Sequence, residues 1–187
     1  CALIAGETAE MPGFYNENEY DLSGTIVGAV DKQNLMSSRS VKKGDLLIAL
    51  PSTGLHTNGY SLARKVLLEH FKVSDYIEEL SSTLGDALLA VHKSYLNIIE
   101  PILTNTSLVA MSHITGGGLI ENTERVIDKG LKIKIDWGAW ETPHIFNLIQ
   151  EKGNVPIEDM RRSFNLGLGM VLVVKKQSIS SFEDYLK

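Results

Sequence analysis

Two loops in this sequence combine glycine, hydroxyl, amide and imidazole groups between an apolar run and a helical pattern, an order in which a polypeptide readily holds an anion. The first is Ser52-Thr53-Gly54-Leu55-His56-Thr57-Asn58-Gly59-Tyr60-Ser61. The helix after it would present unpaired N–H groups and a positive dipole end, which suits a phosphate. The spacing of Gly54 and Gly59 imitates a P-loop, but Tyr60-Ser61 stands where Lys and Ser or Thr are required, so that reading fails. A phosphate cradle of another kind remains open, as does a plain capped turn, because Thr, Asn and Gly are common turn formers. His56 adds a group that titrates near neutral pH, placed in a loop rather than on an apolar stripe.

The second loop is Ser112-His113-Ile114-Thr115-Gly116-Gly117-Gly118. Three successive glycines let backbone approach a ligand closely, against the bland alternative of a flexible turn. His113 falls inside the strand pattern and reads as a satisfied core or supporting histidine. His70, His92 and His144 fall on expected helices without ligand-like partners and are not taken as catalytic. A third feature, Phe164-Asn165-Leu166-Gly167-Leu168-Gly169-Met170, puts G-x-G before a strand, the wrong order for a dinucleotide fingerprint. Its glycines read as close packing or a bulge, while Asn165 offers a neutral donor and acceptor to a polar substrate. Glu7 and Glu10 follow an apolar run and Gly6, where carboxylates can face magnesium, a hard cation that prefers oxygen. Glu17, Glu19 and Asp21 read as a solvated loop.

The elements that must position these loops follow from periodicity. Leu3 to Ala5 and Gly24 to Val30 read as strands separated by turns at Met11-Pro12-Gly13 and Tyr15-Asn16. Leu46 to Leu50 is a continuous apolar run, expected of a strand covered on both faces. Leu62, Val66, Leu67 and Phe71 form a helical stripe over Gly59 to Phe71. A helix is expected from Asp86 to Leu103, interrupted near Pro101, then a strand over Leu108 to Ile114, a helix over Leu119 to Ile127 and an alternating strand over Leu131 to Asp136. Thr142-Pro143 reads as a cap followed by proline at the first helical position, and Val155-Pro156 starts another helix. Leu168 to Lys175 is the last strand, and Ser180 with Glu183 a capping box for a helix running to Lys187. The mixture predicts an α/β or α+β layered fold.

Composition narrows the class. The 187 residues are 43% hydrophobic and 22% charged, the profile of a globular chain rather than of a disordered or disulfide-stapled one. No apolar run approaches the roughly 20 residues that span a bilayer, and Cys1, the single cysteine, leaves no pair for a disulfide or zinc site. A cytoplasmic setting is expected. The net charge of -5 is local: residues 1–31 hold six acids and no Lys or Arg, while the rest carries 17 acids against 18 bases. Without a basic patch, nucleic acid is not expected as a partner. Cys1 to Ala5 begins as a strand already under way, so the chain is expected to be a piece of a longer protein.

Taken in order, Gly6-Glu7-Thr8-Ala9-Glu10-Met11-Pro12-Gly13, Gly54-Leu55-His56-Thr57-Asn58-Gly59-Tyr60-Ser61-Leu62, His113-Ile114-Thr115-Gly116-Gly117-Gly118 and Phe164-Asn165 to Gly169 closely resemble the aminoimidazole ribonucleotide synthetase family, also called phosphoribosylformylglycinamidine cyclo-ligase. The resemblance runs from Cys1 to about Val174. Leu166 and Leu168 stand where that family usually has cysteine and valine, and Thr57 where Ser is common. The resemblance implies that residues 1–41 end an N-terminal ATP-binding and dimerisation domain and that 42–187 form a C-terminal α/β domain cut near its end. It implies ATP and magnesium as cofactors, formylglycinamidine ribonucleotide as substrate, no membrane partner, and a homodimer in the full-length protein. It also implies His56 as the catalytic group, Thr57, Asn58, Thr115, Gly116, Gly117, Gly118 and Asn165 as substrate-binding, and Glu7 as contacting the nucleotide and its metal. Two alternatives stay open: another ATP-using member of the superfamily, and a non-catalytic fragment that binds a ribonucleotide phosphate or serves as a dimerisation scaffold.

Overall fold

The computed structural model describes residues 1–36, 41–180 and 182, which fall into two compact units, Cys1–Leu35 and Met36–Lys187. The expected capping box needs Glu183, which lies outside the described residues. In the first unit the turns lie where they were expected, with the Phe14 amide donating to Met11 O and that of Glu19 to Asn16 O, both at 3.1 Å. The two expected strands do not form. Leu3, Ile4, Ile26 and Val27 are at least 80% exposed and belong to no ladder. Apolar alternation supplies a face for a strand, but a strand persists only where neighbouring backbone accepts its hydrogen bonds.

The second unit is α+β. Its sheet is built from β1 (Leu46–Pro51), β4 (Leu108–His113) and β5 (Leu168–Val174) in the order β1-β5-β4, antiparallel throughout. β5 is therefore central, and six of its seven residues are buried. β1 is an edge strand in which only Leu50 is buried, so its apolar run is not covered on both faces as the sequence suggests. A two-stranded ribbon pairs β2 (Tyr76–Ile77) with β3 (Ser82–Thr83).

Helices cover the sheet in clusters. Leu50, Leu108, Leu172 and Val174 pack with Tyr95, Ile99 and Ile102, contributed by α3 (Leu96–Ile99) and the residues flanking it, and with Phe182 beyond β5. Leu168 and Val171 pack with Ile114 and with Leu119 of α4 (Gly118–Glu124). A further cluster joins α1 (Tyr60–His70), α2 (Leu84–Leu88), α5 (His144–Gly153) and α6 (Ile157–Ser163) through Leu67, Leu84, Phe146, Ile149, Met160 and Phe164. The stripe expected on α1 is observed, with Ala63, Val66 and Leu67 buried.

Three expectations change. The helix expected from Asp86 to Leu103 is broken into α2, an irregular segment from Leu89 to Tyr95, α3 and a short 3-10 turn containing Pro101. The break has a tertiary cause: Val91 O accepts from Thr53 Oγ1 at 2.7 Å and the Lys93 amide donates to His56 Nε2 at 3.3 Å, so this backbone serves the first glycine loop instead of a helix. His92 consequently lies off any helix. Leu131 to Asp136 keeps its alternating burial but pairs with no strand. Finally, Pro143 and Pro156 are the caps of α5 and α6 rather than first helical residues, so Thr142 is displaced from the cap by one position.

Candidate functional site

The sheet places all three sequence features together. β1 leads into the loop Ser52 to Gly59, β4 into the loop Ile114 to Gly117, and Asn165 to Gly167 precedes β5. Because β5 lies between β1 and β4, its incoming end meets both loops. The Ser52 amide donates to Gly167 O at 2.8 Å and the Ile114 amide to Gly169 O at 3.0 Å.

Asn165 ties the first loop to the third. It is 2% exposed; its Oδ1 accepts from Ser52 Oγ at 2.9 Å and from the Gly167 amide at 2.8 Å, and its Nδ2 donates to Gly54 O at 2.8 Å. Asn58 ties the first loop to the second: its Oδ1 accepts from the Gly116 amide at 3.1 Å while its Nδ2 donates to His56 O at 2.7 Å. Thr57 Oγ1 donates to the same carbonyl at 2.6 Å. These bonds hold two consecutive non-glycine residues, His56 (φ 50) and Thr57 (φ 60), in the left-handed region. Each such residue costs on the order of 1–3 kcal/mol and persists only where its surroundings enforce it, a situation concentrated at functional sites.

In the glycine run, the Gly117 amide donates to Arg162 O at 3.0 Å and that of Gly118 to Thr115 O at 3.1 Å. Thr115 Oγ1 donates to Asn122 Oδ1 at 3.0 Å, and Asn122 Nδ2 donates to the carbonyls of Thr115, Gly116 and Gly118. Gly118 has φ +65, and a Cβ there would strike Arg161 O, so no other residue fits. At exposed Gly116 a Cβ meets nothing within 4 Å.

His56 is 2% exposed. Its Nε2 accepts from the amides of Thr53 at 3.0 Å and Lys93 at 3.3 Å, so the ring is neutral with its proton on Nδ1. That Nδ1 has no partner among the described residues. Burial lowers the His56 pKa to about 4, reinforced by the charges that His92, His113 and Lys93 carry when protonated. A Cβ on Gly169 would collide with His56 and with the Tyr95 hydroxyl, which itself donates to Pro51 O at 2.9 Å; the glycine permits close packing, as its sequence context suggests.

Sequence reasoning missed two members of this cluster. The His92 ring stacks on His56 with centroids 3.9 Å apart and planes inclined by 19°, and His113 lies 5.3 Å from His92. His113 is exposed, not a core residue. Its position as the last residue of β4 was readable as a loop-facing signal; His92 was hidden by its apparent helical context. Glu7 belongs to the other unit, and among the described residues no group of three or more His, Cys, Asp or Glu is placed to hold a metal. A cavity of about 1120 Å³ is separate from the loops: Leu47, Ala49, Ile133, Ile135, Val171 and Val173 line it, with lysines such as Lys132 and Lys134.

Comparison with known proteins gives a consistent picture. The family model described as AIR synthase related protein, C-terminal domain, matches residues 42–187. Proteins named phosphoribosylformylglycinamidine cyclo-ligase are similar to nearly the whole chain. That of a Thermoanaerobacter species is 51% identical over 181 residues, 96% of this chain and 54% of the relative. That of Shouchella clausii is 51% identical over 176 residues, 93% of this chain and 51% of the relative. That of Desulfitobacterium hafniense is 45% identical over 187 residues, 100% of this chain and 55% of the relative. The chain thus spans about half the length of the curated relatives it matches.

Proposed function

Because this chain belongs to the AIR synthase related family, whose C-terminal domain it contains, we propose that residues 42–187 form the ribonucleotide-binding domain of a phosphoribosylformylglycinamidine cyclo-ligase. In this reading residues 1–41 end a preceding domain, a division supported by the start of the family match at residue 42 and by the compact unit that begins at Met36. The reaction proposed for the whole protein closes the imidazole ring of formylglycinamidine ribonucleotide with ATP. Transfer of the γ-phosphoryl group to the formyl oxygen leaves ADP and turns that oxygen into a leaving group. The amidine nitrogen then attacks the activated carbon, a C–N bond forms, the C–O bond breaks, and inorganic phosphate and a proton depart.

The single observation that carries this reading is the strained His56-Thr57 pair, bolted by Asn58 to the glycine loop at Gly116. It supports a site for one ligand that touches both loops, with positioning and charge neutralisation as the protein's contribution. Thr115, Gly116, Gly117 and Gly118 would receive the ribonucleotide phosphate, the Gly117 and Gly118 amides exchanging Arg162 O and Thr115 O for charged oxygens, which make stronger hydrogen bonds. Thr57 and Asn58 would hold the first loop against the substrate. Asn165, fully engaged inside the chain, would shape the cleft through the loops it joins. His56, neutral at pH 7, would offer its Nδ1–H to the reacting amide. Glu7, one of six acidic residues in its unit, would supply one oxygen to a magnesium ion that keeps its remaining contacts with nucleotide and water. A homodimer working in the cytoplasm completes the proposal, supported by the family resemblance of the four motifs.

Calorimetry on the 187-residue chain tests the assignment. Saturable binding of formylglycinamidine ribonucleotide in the absence of ATP, weakened at least tenfold by Asn58→Ala, is expected. Absence of binding to both that compound and Mg-ATP would leave the domain a scaffold.

A further inference from the structure

The proposed reaction makes no use of His92, yet this side chain is stacked directly on His56. Its ring lies nearly parallel to that of His56 at 3.9 Å, and among the described residues it forms no hydrogen bond. It sits at the middle of the Leu89 to Tyr95 segment, which is held to the first loop from both sides of His92: Val91 O accepts from Thr53, and the Lys93 amide donates to His56 Nε2. The stack and the two hydrogen bonds form one closed contact, and opening the segment would expose His56 Nε2 to solvent.

We propose that His92 is a positioning residue for His56, a stacked clip that holds the Leu89 to Tyr95 segment over the first loop while neutral and releases it when protonated. The titratable groups facing it are His56 from the first loop and His113 from the end of β4, while Lys93 and Tyr95 of its own segment act on the His56 side of the stack. The Tyr95 phenol, pushed up to about 12 by burial, stays neutral. No member of this set carries a negative charge at pH 7 to compensate a proton on His92. Burial and the His113 charge accordingly lower its pKa. The sign follows: the closed form binds fewer protons than the open form, so closure is complete above the ordinary histidine pKa of about 6.5 and is lost as pH falls below it. The inference concerns the conformation of His56 and stands independently of which reaction the protein performs.

Amide hydrogen exchange followed by NMR on the full chain at pH 7.5 and 5.5 tests it, with protection factors read at Lys93, which reports the clip, and at Leu172 in the centre of β5, which reports global unfolding. Proton linkage at one histidine limits the change to about tenfold per pH unit below its open-form pKa. In the parent chain both His56 and His92 titrate on opening, so the Lys93 protection factor is expected to fall on acidification while staying below that of Leu172 at both pH values, the mark of local opening. In His92→Phe, which keeps a stacking ring and leaves His56 as the group that titrates on opening, the fall at Lys93 should be smaller than in the parent by about threefold to tenfold. A flat Lys93 profile in the parent chain, an equal fall in His92→Phe, or Lys93 protection equal to that of Leu172 at both pH values would each overturn the proposal.

Discussion

At the scale of single residues, the loops are held by side-chain amides rather than by apolar packing. Asn165→Ala removes three hydrogen bonds and leaves the Gly54 carbonyl and the Gly167 amide without their buried partner. Each unsatisfied buried group costs about 1–3 kcal/mol, so a loss of about 3 kcal/mol in urea unfolding is expected. The glycines divide sharply. Gly118→Ala meets backbone at Arg161 and a φ of +65, and should cost about 3 kcal/mol, whereas Gly116→Ala, with open space at its Cβ, should stay within about 0.5 kcal/mol. Equal midpoints for the two variants would refute this account of the run. The sequence marked these loops by their glycine, asparagine and histidine content but left a phosphate cradle and a plain capped turn both open, because the bonds that lock them join residues more than 50 positions apart. The direction in which Asn165 acts was not legible either, since a free amide and a fully engaged one look alike in a sequence.

At the scale of elements, the strands that carry the loops were legible where apolar runs were bounded by turn residues: β1, β4 and β5 lie within a residue or two of expectation. The misread segments share a cause. Residues 86–103 satisfy helical periodicity, but the Leu89 to Tyr95 backbone finds better partners in the first loop; Leu3 to Ala5 and Gly24 to Val30 have strand composition without a neighbouring ladder. Hydrogen-bond partners distant in sequence decide both outcomes, and periodicity does not encode them. The loop held by His56 also makes stability depend on pH. Since its pKa drops from 6.5 to about 4 on folding, the unfolded chain binds more protons between those values, and stability must rise with pH across that window. Urea midpoints should therefore climb from pH 4.5 to 6.5 and flatten above it. His56→Gln should show a shallower climb; an unchanged slope in that variant would assign the effect to other groups.

At the scale of the whole molecule, charge and architecture separate in the same place. The acid-only stretch, residues 1–31, falls in the unit Cys1–Leu35, and the nearly neutral remainder contains the sheet, the helices and all three loops. The family match covers that remainder from residue 42 onward. The central claim is that this domain supplies the ribonucleotide side of a cyclo-ligase, and turnover in a complete enzyme tests it most directly. Residues 42–187 would replace the matching segment of the Thermoanaerobacter relative, and formation of aminoimidazole ribonucleotide from formylglycinamidine ribonucleotide and ATP would be measured on the purified chimera. The account predicts kcat/KM within about tenfold of the parent enzyme, falling at least 10²-fold further when His56→Ala is introduced, as removal of a group acting on the reacting amide requires. A folded chimera that binds ATP yet forms no product, or one whose turnover is indifferent to His56, would contradict it.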